Sequence, residues 1–139
     1  MKVYYIFRIK KEFVNLYEDN PSVLFQILKN IYYLDNEEVD YGYNLFRQLT
    51  DPINKNQLDR DLFIKLHQDI PYSKRKEVHY MNNFYKNEIS RLQVNKTYCK
   101  LEVEQNYSSF FHVLKEELGN AFVCAFNQID FFFLEDYLS

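Results

Sequence analysis

The chain has 139 residues, 47% of them hydrophobic, and a net charge of −3 from 17 basic and 20 acidic side chains. At this length about two-thirds of the unfolded surface is buried on folding, so a core forms without the disulfides or structural metal of small stapled scaffolds. The acidic balance argues against an electrostatic nucleic-acid binder, and two glycines, Gly42 and Gly119, leave no Gly-rich loop to close around a phosphate.

Segment 3–9, VYYIFRI, is dense in β-branched and aromatic residues and predicts a strand. Its faces are Val3, Tyr5, Phe7, Ile9 and Tyr4, Ile6, Arg8, Lys10. Arg8, Lys10 and Lys11 interrupt an apolar run too short for a signal peptide or membrane span, so a cytoplasmic chain without a targeting segment is expected. Cys99 and Cys124, each inside an apolar run, fit buried thiols in a reducing compartment.

In KKEFVNLYED, residues 10–19, Phe13 and Tyr17 lie four apart, which stacks both rings on one face of a short helix. Val14 and Leu16 are available to pack against the fold. By pattern alone, Phe13 and Tyr17 also fit the core stripe of that helix.

Asn20-Pro21 signals the next helix, with Asn as the cap and Pro at the first helical position; Val23, Leu24, Ile27, Leu28 and Ile31 form its stripe. Asp35-Asn36-Glu37-Glu38 announces a third helix carrying Val39, Tyr43, Phe46 and Leu49 inward, which Asp51-Pro52 ends. Leu58, Leu62, Ile64 and Leu66 fit either a strand over 61–67 or the end of a helix, with the strand slightly preferred. A Ser cap followed by Val78, Met81, Phe84 and Tyr85 predicts a polar helix over 73–88.

Alternating runs over 89–94 and 97–104 predict a hairpin turning at Asn95-Lys96. Tyr107-Ser108 opens a helix whose Phe110, Phe111, Val113, Leu114 and Leu118 need a sheet beneath them, with Gly119 as its left-handed cap. AFVCAF and FFFLEDYL are two further strands joined at Asn127–Asp130. The pattern predicts an α+β fold, a single domain over residues 1–139, with a mostly antiparallel sheet packed against helices and the helices concentrated in the N-terminal half.

Sites for chemistry are sparse. His67, His79 and His112 share no ligand spacing with the cysteines, so no metal is expected. Ser22, Ser73, Ser90, Ser108, Ser109 and Ser139 sit mostly where caps belong, and the acid pairs Glu37-Glu38, Glu102/Glu104 and Glu116-Glu117 fit a helix start, a strand face and a solvated helix face. The expectation is a chain that is not an enzyme, uses no cofactor, and acts through a surface.

YYIFRIKKEFVNLY, the SVLF of Ser22–Phe25, Thr50-Asp51-Pro52-Ile53 and a carboxy-terminal strand-helix-strand together resemble the sporulation inhibitor of replication family, SirA. The resemblance is strongest over residues 3–29 and recurs at 49–53 and 107–127. It implies a small cytoplasmic protein made at the onset of sporulation, which binds the amino-terminal domain of the replication initiator DnaA and blocks new rounds of chromosome replication. A monomer forming a one-to-one complex, with no membrane and no direct DNA contact, is the implied state. The family's contact helix reads Lys-x-Glu-Phe-x-Asn-x-Tyr, matched by Lys10, Glu12, Phe13, Asn15 and Tyr17. Its second contact element precedes the Thr-x-Pro-Ile turn and implies Leu45 and Gln48. The terminal FFFLEDYL departs from the basic, Trp-containing end of the family.

Two competing functions follow from other features. One is a small nucleic-acid-binding regulator using Lys74, Arg75 and Lys76, with Tyr72 and Tyr80 as stacking rings; the other is a small hydrolase with an acid pair outside known patterns.

Overall fold

A computed structural model describes residues 1–34, 36–105 and 107–137. The chain runs β1 (Lys2–Ile9), α1 (Lys11–Tyr17), α2 (Pro21–Tyr32), a 3-10 turn (Asn36–Glu38), α3 (Val39–Leu49), β2 (Thr50–Asp51) and α4 (Lys55–Leu66). It continues β3 (Tyr72–Arg75), β4 (Val78–Asn83), β5 (Glu88–Val94), β6 (Cys99–Val103), α5 (Phe110–Leu118), β7 (Ala121–Ala125), β8 (Asp130–Phe133) and a last 3-10 turn (Leu134–Asp136). The strands form one antiparallel sheet in the order β3-β4-β5-β6-β1-β7-β8. Along one edge of β1, β6 pairs with Lys2–Ile6 and the short β2 takes over at Arg8 and Ile9.

Strand alternation sends neighbouring residues of β1 and β7 to opposite faces, and both faces are covered. Tyr4, Ile6, Val123 and Ala125 join Leu58, Leu62 and Leu66 of α4 and Phe110, Leu114 and Leu118 of α5. Phe7, Ile9, Phe122 and Cys124 meet Leu24, Phe25 and Leu28 of α2, with Phe13, Val14 and Tyr17 of α1 and Phe46 of α3 at the margin. The outer strands bury only one face: His79, Met81, Leu92 and Leu101 point under α4 and α5, while Tyr80, Gln93 and Lys100 point to solvent. The α+β class, the antiparallel sheet and the early grouping of helices are as the sequence predicts.

Two segments differ. The expected strand over 61–67 is the second half of α4, because Leu58, Leu62 and Leu66 are buried at a spacing of four whereas Ile64, which completed the alternation, is 58% exposed. Asn54 Oδ1 accepts from the Gln57 amide and caps that helix. The expected helix over 73–88 is instead the β3–β4 hairpin and the start of β5. Phe84 and Tyr85, counted in its apolar stripe, are fully exposed at the β4–β5 tip, and Lys76 makes the β3–β4 turn with a φ of 54°.

Smaller corrections concern individual side chains. Asn20 precedes α2 without a side-chain cap bond, its Oδ1 accepting from Ser22 Oγ instead; Phe25 is buried in the stripe and Val23 is exposed. Tyr43 is exposed rather than inward. Asn95 pairs with Tyr98 through its amide, which moves the hairpin turn to Lys96-Thr97. The last strand ends at Phe133. The expected cap Asp35, the inward side chain of Val39 and Ser139 lie outside what is described.

Candidate functional site

Helix α1 follows β1 after one residue, and α3 runs directly into β2, so the pairing of Ile9 with Thr50 brings the start of α1 beside the end of α3. The Lys10 amide donates to the Leu49 carbonyl at 3.0 Å and fastens the two helix ends together. Thr50 Oγ1 donates back to the Phe46 carbonyl at 2.8 Å, which also accepts the Thr50 amide, so Thr50 closes the last turn of α3 with two bonds.

Seven residues make α1 too short to hold itself helical in water, so packing against the sheet must stabilise it. Val14, Phe13 and Tyr17 supply that packing and are all half-buried, so each ring keeps part of its surface in solvent. On α3, Phe46 packs edge-on against Phe7 with ring centroids 5.5 Å apart; its neighbour Leu45 is half-buried and Gln48 is exposed. The four residues expected to bind a partner therefore lie on two helices whose ends are joined.

Leu16 is the residue sequence reasoning misplaced. It is 62% exposed and does not pack inward with Val14. The signal was available, since residues two apart on a helix point in nearly opposite directions, while Leu16 stands three from Phe13 on the neighbouring surface. Leu16 extends the apolar margin of α1.

The basic segment is divided. Tyr72 is 7% exposed and its hydroxyl is committed to His79, so it offers no stacking face. Tyr80 is half-exposed, and the Arg75 guanidinium sits over its ring at 5.5 Å.

Buried polar groups form two closed networks. In the first, His79 is fully buried, with Nδ1 2.7 Å from the Tyr72 hydroxyl and Nε2 2.7 Å from Asp59 Oδ1, while Lys55 Nζ is 2.8 Å from Asp59 Oδ2. The arrangement fits a neutral imidazole that donates from Nε2 to the carboxylate and accepts at Nδ1 from the phenol. Burial is the main cause holding the His79 pKa below its ordinary value, against the pull of Asp59. The Tyr72 phenol is pushed up to about 12 by burial and by Asp59. These residues resemble a catalytic relay in composition, but they stand sealed between α4 and the β3–β4 hairpin and tie those elements together.

In the second network, buried Glu88 accepts from the Ser109 amide at 2.7 Å and the Ser109 hydroxyl at 2.8 Å, and Ser90 Oγ donates to it at 3.3 Å. A carboxylate from β5 thus serves the amino end of α5, while Ser108 Oγ accepts from the Phe110 amide. Ser73, expected as a cap, lies in β3. Cys99 and Cys124 are free and buried in the cores on opposite faces of the sheet.

Among the described residues, no group of three or more His, Cys, Asp and Glu side chains is placed to hold a metal ion, and no helix is long and apolar enough to cross a membrane. The family model described as sporulation inhibitor of replication protein SirA matches residues 2–137. No curated protein matches the chain.

Proposed function

The chain belongs to the sporulation inhibitor of replication family, SirA, and we propose that it inhibits initiation of chromosome replication by binding the amino-terminal domain of DnaA. Phe13 and Tyr17 are the anchors, Leu16 extends their surface, and Leu45 and Gln48 flank them from α3. The observation that carries this reading is the fastening of α1 to the end of α3 by the Lys10–Leu49 hydrogen bond, which presents half-exposed rings on a fixed two-helix face. An interface of ordinary size covers about 800 Å² per partner and draws much of its affinity from one or two aromatic anchors. The action is steric: the chain occupies the initiator domain and prevents its assembly or loading at the origin. It works as a single-domain monomer in a one-to-one complex in the cytoplasm, without catalysis, cofactor or contact with DNA.

The test is a calorimetric titration of the chain against the amino-terminal domain of its own host's DnaA, with Phe13→Ala and Tyr17→Ala variants of verified fold. Saturable one-to-one binding that the variants lose supports the reading; absence of heat and of a complex by size exclusion rejects the partner. The stack of Arg75 on Tyr80 favours one alternative, a small nucleic-acid-binding regulator centred on residues 74–76. A salt series separates the two, because phosphate contacts make affinity fall steeply with ionic strength and an aromatic-centred protein interface changes little.

A further inference from the structure

Helices α2 and α3 do not close fully over the sheet. Between them, facing β1 and the β5–β6 turn, lies a cleft of about 410 Å³, within the ~300–1,000 Å³ typical of small-molecule sites. Its floor is apolar and fixed: Phe7 and Leu28 are buried, and Phe7 is braced edge-on by Phe46. Half-buried Ile31 and Tyr98 continue the wall. Gly42, in mid-helix, has a packing reason to be glycine, because Leu34 Cδ1 occupies the space its Cβ would take. Leu34 thus seats against the backbone of α3.

The polar groups gather at the mouth. The hydroxyls of Tyr5 and Tyr32 are 3.3 Å apart, either able to donate to the other, and burial holds the Tyr5 phenol well above its ordinary pKa. Exposed Thr97 stands at the turn, and the Arg47 guanidinium lies 5.7 Å from the centre of the exposed Tyr43 ring. Arg47 is the single charged side chain on the lining. Among the described residues it has no carboxylate partner. An apolar enclosure whose one charge is a guanidinium matches a ligand with a hydrocarbon body and an anionic end, because the planar fork of arginine pairs with both oxygens of a carboxylate. We propose that this cleft binds an amphipathic carboxylate, its body against Phe7, Leu28 and Phe46 and its carboxylate at Arg47. Leu45 and Gln48 do not line the cleft, so the site is separate from the proposed partner face.

Sodium decanoate is the probe, titrated into the full chain by calorimetry and followed by amide NMR, with decanol as the neutral control. The expected result is saturable one-to-one binding, with shifts in α2, α3 and the Lys96-Thr97 turn. Arg47→Ala and the change to decanol each weaken binding by about tenfold or more, as loss of a charge-assisted contact requires. Thr97→Trp, at an exposed turn away from the core, blocks the mouth while leaving the fold intact. The proposal is overturned by absence of saturable binding, by equal affinity for decanol, or by variants that bind as well as the parent. It is also overturned if sedimentation shows a dimer that Thr97→Trp dissociates, since a second copy of the chain would then cover the cleft.

Discussion

The amide of Lys10 and the carbonyl of Leu49 are joined by a 3.0 Å hydrogen bond, although 39 positions separate them in sequence. Through it the residue before α1 and the last residue of α3 act as one corner, and the direction of α1 is set by the sheet beneath both.

Truncating the rings on that corner tests the proposed partner face. Phe13→Ala and Tyr17→Ala are each expected to cost about 2 kcal/mol in affinity for the DnaA domain. Because both rings also contact the core, some stability is lost with them, and a thermal melt of each variant must accompany the titration. Leu16→Ala separates the two effects: its side chain is 62% exposed, so stability should change by no more than about 0.5 kcal/mol, and any loss of affinity belongs to the interface. A Leu16 variant that binds like the parent would confine the interface to the two rings and α3.

The network through His79 predicts a particular pH dependence. The unfolded chain takes up a proton at the ordinary histidine value of 6.5, whereas the folded chain holds its imidazole neutral to lower pH because it is buried, Lys55 and Lys74 adding to the effect against Asp59. The unfolded state therefore binds more protons in that interval, so stability rises with pH across it and falls on acidification. His79 contributes fully above pH 6.5, and its contribution is lost as pH falls through the folded pKa. Urea midpoints measured from pH 8 downward should decline in this window, and His79→Gln should flatten the decline while lowering stability at pH 8. Tyr72→Phe, which removes the donor to Nδ1, should cost about 1 kcal/mol.

The two thiols should be inert in the folded chain. Both cysteines are fully buried, and burial pushes the Cys99 thiol up to about 12 and that of Cys124 upward as well. The thiolate is the reactive species, so labelling by a disulfide reagent at neutral pH should follow the rate of unfolding. Fast labelling of either cysteine without denaturant would contradict the packing of its strand. Disulfide formation between them within one molecule is not expected, since the sheet separates them.

Where local pattern and tertiary burial agree, the fold is legible in the sequence. β1 and β7 are apolar on both faces because helices cover both sides, and α5 shows its stripe because it lies flat on the sheet. The stretch from residue 53 to 88 is opaque for specific reasons. Exposed Ile64 on α4 counterfeits a strand alternation with Leu62 and Leu66, and the β3–β4 hairpin buries only Tyr72, His79 and Met81 to mark its inner face. Its turn uses Lys76 at positive φ, so no Gly or Asn announces it. The spacing of Phe13 and Tyr17 is visible in sequence, as is the opposition of Val14 and Leu16, but which of those two sides packs inward is settled only by docking of α1. The cleft is invisible for the same reason: residues as distant as Phe7, Leu28, Phe46 and Tyr98 form it only once the helices are docked.

Glu88 carries the last prediction, because it is a carboxylate with 1% exposure and no basic side chain in its hydrogen-bond network. What offsets its desolvation is a set of donors: the Ser109 amide, the Ser109 hydroxyl and Ser90 Oγ, with the amino end of α5 adding its partial positive charge. Glu88→Ala removes the acceptor shared by the half-buried Ser109 amide and hydroxyl and by buried Ser90 Oγ, which keeps only its bond to the Ser108 hydroxyl, a change expected to cost about 3 kcal/mol. Glu88→Gln keeps an oxygen for the Ser109 amide but loses the charge, so it should cost roughly half as much. Urea unfolding of the two variants gives the order directly. Amide exchange adds a local readout, since α5 should lose protection at its amino end before the sheet does. If Glu88→Ala unfolds like the parent, the buried carboxylate is not what fixes α5 on β5, and the Ser108 cap with the packing of Phe110 and Leu114 must suffice.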